Sequence, residues 1–341
     1  MDARHADRRA VLLTRNRLRD RVRQWFGDQD FVEIDTAHLQ ISPGNETHIG
    51  AFATAFMPLG GAAQPLYLHS SPEFAAKKLL ALGEPRIYSL GHVYRNSERG
   101  SLHHPEFTML EWYRAGGNLE AMMQDCAALL ALTAEVADAA QLTFRGHLCD
   151  PRVQPERLTL IEAFQRHAGI ALEPLLGDGA EARKGFAEAA SGIGMRISAD
   201  DTWSDIFSKV LTARIEPQLG LGRATLLHDY PASEAALARL KPGDSRLAER
   251  FELYACGVEL ANAFHELTDA AEQRRRLLHA MDERQRIYGE RYPLDEDFLA
   301  ALDHMPPASG CALGFDRLVM LATGAPRIDD VIWTPLPSSI N

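Results

Sequence analysis

Residues 86–114 read RIYSLGHVYRNSERGSLHHPEFTMLEWYR, and the architecture can be worked out from this stretch. The first arm, 86–95, alternates with the two-residue period of a strand and sets Ile87, Ser89, Gly91, Val93 and Arg95 on one face. The second arm, 106–113, is rich in aromatic and other β-favouring residues, with Phe107, Met109, Glu111 and Tyr113 sharing a face. The polar loop between them, 96–105, carries Glu98, Arg99, Gly100 and two histidines. Strand, charged loop and strand predict an antiparallel hairpin. An Arg closing the first arm, with His and Glu across the loop, suits a triphosphate, because guanidinium offers phosphate oxygens a planar fork of donors.

Upstream of the hairpin, residues 10–27 predict an amphipathic helix. Val11, Leu12, Leu18, Val22, Trp25 and Phe26 recur at helical spacing, and Gly27 is the expected stop. Residues 31–36 alternate as a strand, 42–64 read as a loop with a short strand, and 65–69 as a further strand. Ser70-Ser71-Pro72-Glu73 then opens a helix to residue 82, since Ser caps well and Pro is tolerated in the first turn. Downstream, residues 119–140 are strongly helical. Segment 145–225, broken by Pro and Gly, predicts a mainly helical insertion with helices at 160–167 and 204–215. A strand at 224–230 precedes a hairpin, 251–254 and 258–264, turning at Cys256-Gly257. A charged helix at 269–288, a short helix at 299–305, a strand at 310–313 and a helix at 315–323 complete the chain, with Gly314 a tight junction and Gly324 a stop. Hairpins with segregated helices predict an α+β fold, an antiparallel β-sheet flanked by helices.

Composition sets the outer bounds. The chain has 341 residues, 46% hydrophobic and 24% charged, enough to bury a substantial core. No apolar run approaches 18 residues and the N-terminus has no apolar signal core, so the expectation is a cytoplasmic protein without a membrane span. Cys126, Cys149, Cys256 and Cys311 are scattered without a CxxC pair, which predicts buried thiols rather than a zinc or disulfide framework. A net charge of −11 lacks the footprint of a dedicated nucleic-acid binder. The one basic concentration is the Arg-rich first 23 residues, read as a solvated helix face or a docking edge for an acidic partner.

The central hairpin resembles motif 2 of class II aminoacyl-tRNA synthetases of the lysyl branch, and SGCALGFDRLVMLATG at 309–324 resembles motif 3. SPEF, PEFTMLEWY and ELANAFHELTD narrow the resemblance to the lysyl-synthetase-like ligases that modify elongation factor P with (R)-β-lysine. The resemblance covers roughly residues 10–115 and 225–335 and implies one class II catalytic domain over 1–341, with the helical insertion at about 145–225. Helix 10–27 and strand 31–36 resemble motif 1, implying a homodimer, with Ala37 where the family usually has Pro.

The resemblance also implies site residues and cofactors, ATP and Mg²⁺. Arg95 and Arg317 are the catalytic candidates. Arg95 would clamp the α-phosphate and substrate carboxylate, and Arg317 the γ-phosphate side from the first turn of a helix whose N-terminus favours anions. Gly314 would let backbone approach the nucleotide, with Asn96, Ser97, Glu98, His103, His104 and Leu253 completing the ATP contacts. His104 replaces the family Asn, and Ser97 replaces the Glu that reads the adenine amine, so Glu98 or a backbone carbonyl is its expected substitute. Glu252 and Glu259 match the two Mg²⁺ carboxylates, a hard oxygen donor set suited to that ion. For the amino acid, Glu266 and Tyr113 match the distal amine pocket, Glu73 with Ser71 and Pro72 the amine nearer the carboxylate, and Asn262 a carboxylate contact. Ala312 stands where lysyl-tRNA synthetases have Gly, and its methyl would disfavour an α-amine by roughly 1–3 kcal/mol. Strict alternation puts Asn262 and Glu266 opposite Glu259, so the three share a face only if the strand bulges.

Motif 1 begins near residue 10, leaving no room for the family's OB-type anticodon domain, and the expectation is that elongation factor P, not tRNA, accepts the acyl group. The alternatives are a truncated lysyl-tRNA synthetase-like enzyme and a non-catalytic paralogue that binds ATP or amino acid. The latter should lose motif arginines or metal acids, and Arg95, Arg317, Glu252 and Glu259 are all present.

Overall fold

The computed structural model describes residues 2–177 and 179–337. Residue 1 and residues 338–341, the ends of the 1–341 domain expectation, lie outside the described residues, as does Asp178 of the 145–225 segment. The chain forms two compact units, one of Met1–Asn118 with Glu266–Asn341 and one of Leu119–His265.

The first unit begins with α1 (Asp2–Asp28), which buries Leu12, Leu18, Val22 and Phe26 at helical spacing. Each such side chain contributes about 1.5–3 kcal/mol by leaving water. The Arg-rich run is largely used inside this unit. Arg8 reaches the Asp330 and Ile332 carbonyls, Arg15 is buried, and Arg23 pairs with Glu33 at 2.8 Å. The strand expected over 31–36 shrinks to β1 (Val32–Glu33), parallel to a later strand. Its ladder ends where the Ile34 N–H donates to the Tyr88 carbonyl, because this edge segment has no second neighbour to extend it. A small sheet follows from β2 (Leu39–Gln40), β3 (Phe52–Phe56) and β4 (Gln64–Leu68), in the order β2-β4-β3. Helix α2 (Glu73–Ala81) starts after Pro72, and Ser71 Oγ accepts from the Glu73 N–H at 3.0 Å. The central hairpin is β5 (Arg86–Tyr94) and β6 (Glu106–Ala115), paired without a break from Arg86↔Arg114 to Tyr94↔Glu106.

The second unit contains α3 (Leu119–Ala137), β7 (Leu142–Phe144), β8 (His147–Asp150), β9 (Glu156–Thr159), α4 (Leu160–Ala163), α5 (Ala180–Gly192) and α6 (Trp203–Val210). Its later strands are β10 (Gly222–Arg223), β11 (Thr225–Pro231), β12 (Leu240–Lys241), β13 (Asp244–Ala255) and β14 (Val258–His265). Segment 145–225 is thus mainly helical but carries β8, β9 and β10. The helices expected at 160–167 and 204–215 each end in a π turn, Phe164–Ala168 and Leu211–Ile215. Phe164, Phe186, Trp203 and Phe207 pack as a chain of aromatic rings in this core. The strands order as β14-β13-β11-β9, with β12 on β13. The turn between β13 and β14 is Cys256-Gly257, both at positive φ (55° and 73°), as a two-residue hairpin turn requires.

The first unit is completed by α7 (Ala270–Tyr288), α8 (Glu296–Leu302), β15 (Ala308–Gly314) and α9 (Phe315–Thr323). The short helix lies at α8 rather than 299–305, because Asp295 caps it by accepting from the Phe298 N–H at 2.9 Å. Strand β15 runs antiparallel to β6, from Ala308↔Ala115 to Gly314↔Met109, giving the order β1-β5-β6-β15 in this unit. Gly324 ends α9 at φ 67°. All four cysteines are buried free thiols. No helix among the described residues is long and apolar enough to cross a membrane.

Candidate active site

In the first unit, β6 and α9 are fastened together by buried charge. Arg15 lies 2.8 Å from Asp316 Oδ1 and donates to Thr108 Oγ1 at 2.6 Å, while Asp316 Oδ2 accepts the Thr108 N–H at 2.7 Å. This network fixes the first turn of α9 and therefore Arg317. Its guanidinium donates to His103 Nε2 at 2.9 Å and to the Leu102 carbonyl at 3.4 Å. Burial, then Arg317, and less strongly Arg95, hold the His103 imidazole below its ordinary pKa, so the ring is neutral and able to accept. Arg95 stands just beyond β5, over the Phe107 ring at 5.3 Å, donating to the Ser70 carbonyl at 3.4 Å and 4.0 Å from Glu98. Arg95, Glu98, His103 and Arg317 thus gather around one loop mouth. Asn96 is exposed and its Oδ1 accepts the Ser97 N–H at 2.8 Å, with Ser97 at φ 68°. His104 differs from its neighbour. It is buried, its Nδ1 is 2.5 Å from the Glu106 carbonyl, and its Nε2 accepts the Leu336 N–H at 3.1 Å. Its ring locks the loop from within instead of facing the mouth.

A second cluster in the same unit is anionic. Glu73, Glu111 and Glu266 are all buried, and the fully buried Lys77 sits between two of them, 2.5 Å from Glu73 Oε1 and 2.6 Å from Glu266 Oε2. Ser71 donates to Glu111 Oε2 at 2.8 Å, and Tyr113 donates to Glu111 Oε1. Burial and the charge of Glu73 push Glu111 up to about 7. Burial, opposed by Lys77, pushes Glu266 up to about 8, and the Lys77 ammonium, despite burial, is held above its ordinary value by Glu266 and Glu73. Gly310 and Ala312 on β15 face Tyr113 and Glu111 respectively. A Cβ on Gly310 would overlap both Glu266 Oε1 and the Tyr113 ring, so only glycine allows this approach. Ser71 joins the cluster through its bond to Glu111, and Pro72 is the residue that precedes α2.

The second unit carries a separate acidic pair. The ladder of β13 and β14 pairs Glu252↔Asn262 and Leu253↔Ala261, then Tyr254↔Glu259. Leu260 is therefore one residue in excess, and this bulge brings Glu259 and Asn262 onto the same face, as the spacing required. Arg250 joins the group, donating to Asn262 Oδ1 at 3.0 Å and to Glu252 Oε1 at 2.6 Å. Tyr254 donates to Glu252 Oε2 at 2.5 Å. Burial raises Glu252 above the usual carboxylate range, against the pull of Arg250 and with the help of Glu259. Among the described residues no set of three His, Cys, Asp or Glu side chains is grouped to hold a metal, so this is a carboxylate pair and not a cage.

A model of tRNA synthetases class II (D, K and N) matches residues 1–337. The chain belongs to this family. Elongation factor P–(R)-β-lysine ligases are similar along nearly their full length. The protein of Edwardsiella ictaluri is 40% identical over 95% of this chain and 94% of its own, and that of Yersinia enterocolitica 38% over 96% and 95%. The Vibrio cholerae protein is 36% identical over 93% and 92%. Among such relatives this class II chain is a ligase.

Several residues of these clusters were not singled out from the sequence. Lys77 lies one helical turn after Glu73, Arg250 two strand positions before Glu252, and Glu111 two before Tyr113. Periodicity marks each as facing a named site residue, but only tertiary contact distinguishes a buried partner from a solvated charge. Arg15 and Asp316 carry a weaker signal, since 301 residues separate them.

Proposed function

We propose that the chain activates (R)-β-lysine, or lysine, with ATP and transfers it to a lysine side chain of elongation factor P. The amino-acid carboxylate attacks the α-phosphorus, pyrophosphate leaves, and an aminoacyl-adenylate forms. The acceptor amine then attacks the acyl carbon, AMP leaves, and an amide remains after loss of a proton. The adenylate is itself the activated donor, so no enzyme nucleophile is needed.

The observation that carries this reading is the buried cluster of Glu73, Glu111 and Glu266 around a single ammonium, a setting that calls for a cationic ligand. In this reading Glu266 and Tyr113 meet the distal amine, Glu73 meets the other, and Asn262, its Oδ1 engaged by Arg250, offers its amide donors to the carboxylate. Arg95 and Arg317 bind phosphate oxygens, while neutral His103 keeps the Arg317 fork oriented. Asn96, Ser97, Glu98, Leu253 and Gly314 line the nucleotide, and His104 contributes by holding the loop. Glu252 and Glu259 suit Mg²⁺: they lie on one face and Glu259 raises the pKa of Glu252, a repulsion that a hard divalent cation relieves. When bound, Mg²⁺ would neutralise phosphate charge. The chain works in the cytoplasm in this reading. Exposed Val32, Leu39 and Ile41 beside the motif 1 segment suit a homodimer contact.

The test is the intact mass of elongation factor P after incubation with the protein, ATP, Mg²⁺ and (R)-β-lysine, with L-lysine and lysine tRNA in parallel. A gain of one lysyl unit, larger with the β isomer, is expected. Charging of tRNA with the factor unmodified would overturn the assigned acceptor.

A further inference from the structure

We propose that Lys77 is a positioning residue for the amino-acid substrate, a resident ammonium that bridges the carboxyl groups of Glu73 and Glu266 and leaves the pocket with two more acidic groups than fixed cations. The inference rests on the functional reading above and deepens it, because two is the charge carried by the ammonium groups of a diamino acid.

The geometry is specific. Lys77 has no exposed side-chain surface and lies 2.5 Å from Glu73 and 2.6 Å from Glu266, with its ammonium 5.9 Å from the centre of the Phe298 ring. A lysine placed for packing alone would extend its ammonium to water. Here it is turned inward to two carboxylates from different parts of the chain. One is on its own helix, one turn earlier. The other follows β14, where the Glu266 N–H donates to the Ala308 carbonyl at 2.9 Å. The remaining groups around it are accounted for. On β6, Glu111 is the third carboxylate and Tyr113 is neutral. Before α2, Ser71 is neutral. Towards α8, Lys78 and Asp295 cancel at 2.7 Å. Three carboxylates therefore face one ammonium. Glu266 Oε1 is buried and has no hydrogen-bond partner among the described residues, so an acceptor already stands without its donor. Gly310 is what allows that oxygen its place.

The arrangement couples binding to protons. With no substrate, the surplus charge is met by protons on Glu111 and Glu266, whose pKa values lie at about 7 and about 8. Two arriving ammonium groups displace those protons. Lys77 limits the exchange by meeting one charge permanently, and its fixed contacts hold the two glutamates apart for the ligand.

The test is calorimetric titration of the full chain with L-lysine and with norleucine at pH 7, each in phosphate and in Tris, to count protons released. Lysine should release about one proton more than norleucine, and equal release would overturn the proposal. Kinetically, Lys77→Met should raise KM for the diamino acid at least tenfold and shift its pH profile, with kcat within about threefold and the KM for ATP unchanged. Lys77→Arg should recover part of the loss. Unchanged KM and pH profile in a folded Lys77→Met would overturn the role of Lys77 alone. If Lys77→Met does not fold, the proton count on the unaltered protein still decides. Failure of the unaltered protein to bind any diamino acid would instead overturn the functional reading, and this inference with it.

Discussion

The two units each bury acids around one base, and they do it differently. In the second unit the base is Arg250, whose planar fork bonds Glu252 and Asn262 together and whose guanidinium stacks 4.4 Å from the centre of the Tyr230 ring. In the first unit the base is Lys77, a point charge among three carboxylates. Arginine fixes direction and satisfies its acids from a rigid frame. Lysine sets a charge and leaves donors missing, as at Glu266 Oε1. The first arrangement suits holding oxygens in a set geometry, and the second suits receiving a cation. Which base is buried tells as much about a site as how many acids surround it.

The sharpest way to break this contrast is Arg250→Met. It strands a buried carboxylate, and the expected cost is roughly 3–5 kcal/mol of stability, read by urea unfolding. A loss under about 1 kcal/mol would mean that the fork is not holding the cluster. Next, Glu252→Gln should lower ATP–pyrophosphate exchange about 10²–10³-fold with little change in the KM of the amino acid. An effect mainly on that KM would erase the division between the clusters. Glu266→Gln should do the reverse, raising KM for diamino acids by about 1.5–3 kcal/mol, or roughly 10–150-fold, with a smaller effect on kcat. Steady-state kinetics with norleucine as control separates these outcomes.

The smallest effect is on pH. Glu111 and Glu266 have folded pKa values of about 7 and about 8, raised above those of an unfolded carboxyl. Their contribution to stability is fully present below the unfolded value and is lost as pH rises through 7 to 8. Melting temperature of the ligand-free protein should therefore fall between pH 6.5 and 9. Lysine should offset part of the fall, and Glu266→Gln should flatten it. A melting curve that rises over this range would contradict the assignment of these acids.

Much of the fold was legible because its signals are local. Alternation in 86–95 and 106–113, the turn at Cys256-Gly257 and the stop at Gly324 all appear where periodicity and turn chemistry put them. Elements set by neighbours were not. The motif 1 strand stops after two residues at a sheet edge, where it has one neighbour only, and the short helix follows the cap at Asp295 instead of the apolar run after it. At the site, motif residues such as Arg95 and Arg317 could be named from their spacing, while Lys77, Arg15 and Asp316 could not. A buried charge and a solvated one have the same letter, and 0% exposure of the Lys77 side chain is a property of the packed chain. His104 shows the converse. Its position beside His103 suggested a shared task, yet the backbone carries one ring outward and the other into the loop.

The extra residue at Leu260 bears on how this strand can change. Up to Glu259 and from Asn262 onward, β14 runs out of step by one position, and only this slip aligns the two side chains. Losing the codon for Leu260 would restore a regular ladder and leave Glu259 two positions before Asn262, still on the same face. Substitutions around Leu260 can be tolerated or repaired one at a time. A one-residue insertion between Glu259 and Asn262 would instead need a second bulge to keep them on one face, so this segment should tolerate the loss of one residue better than the gain of one.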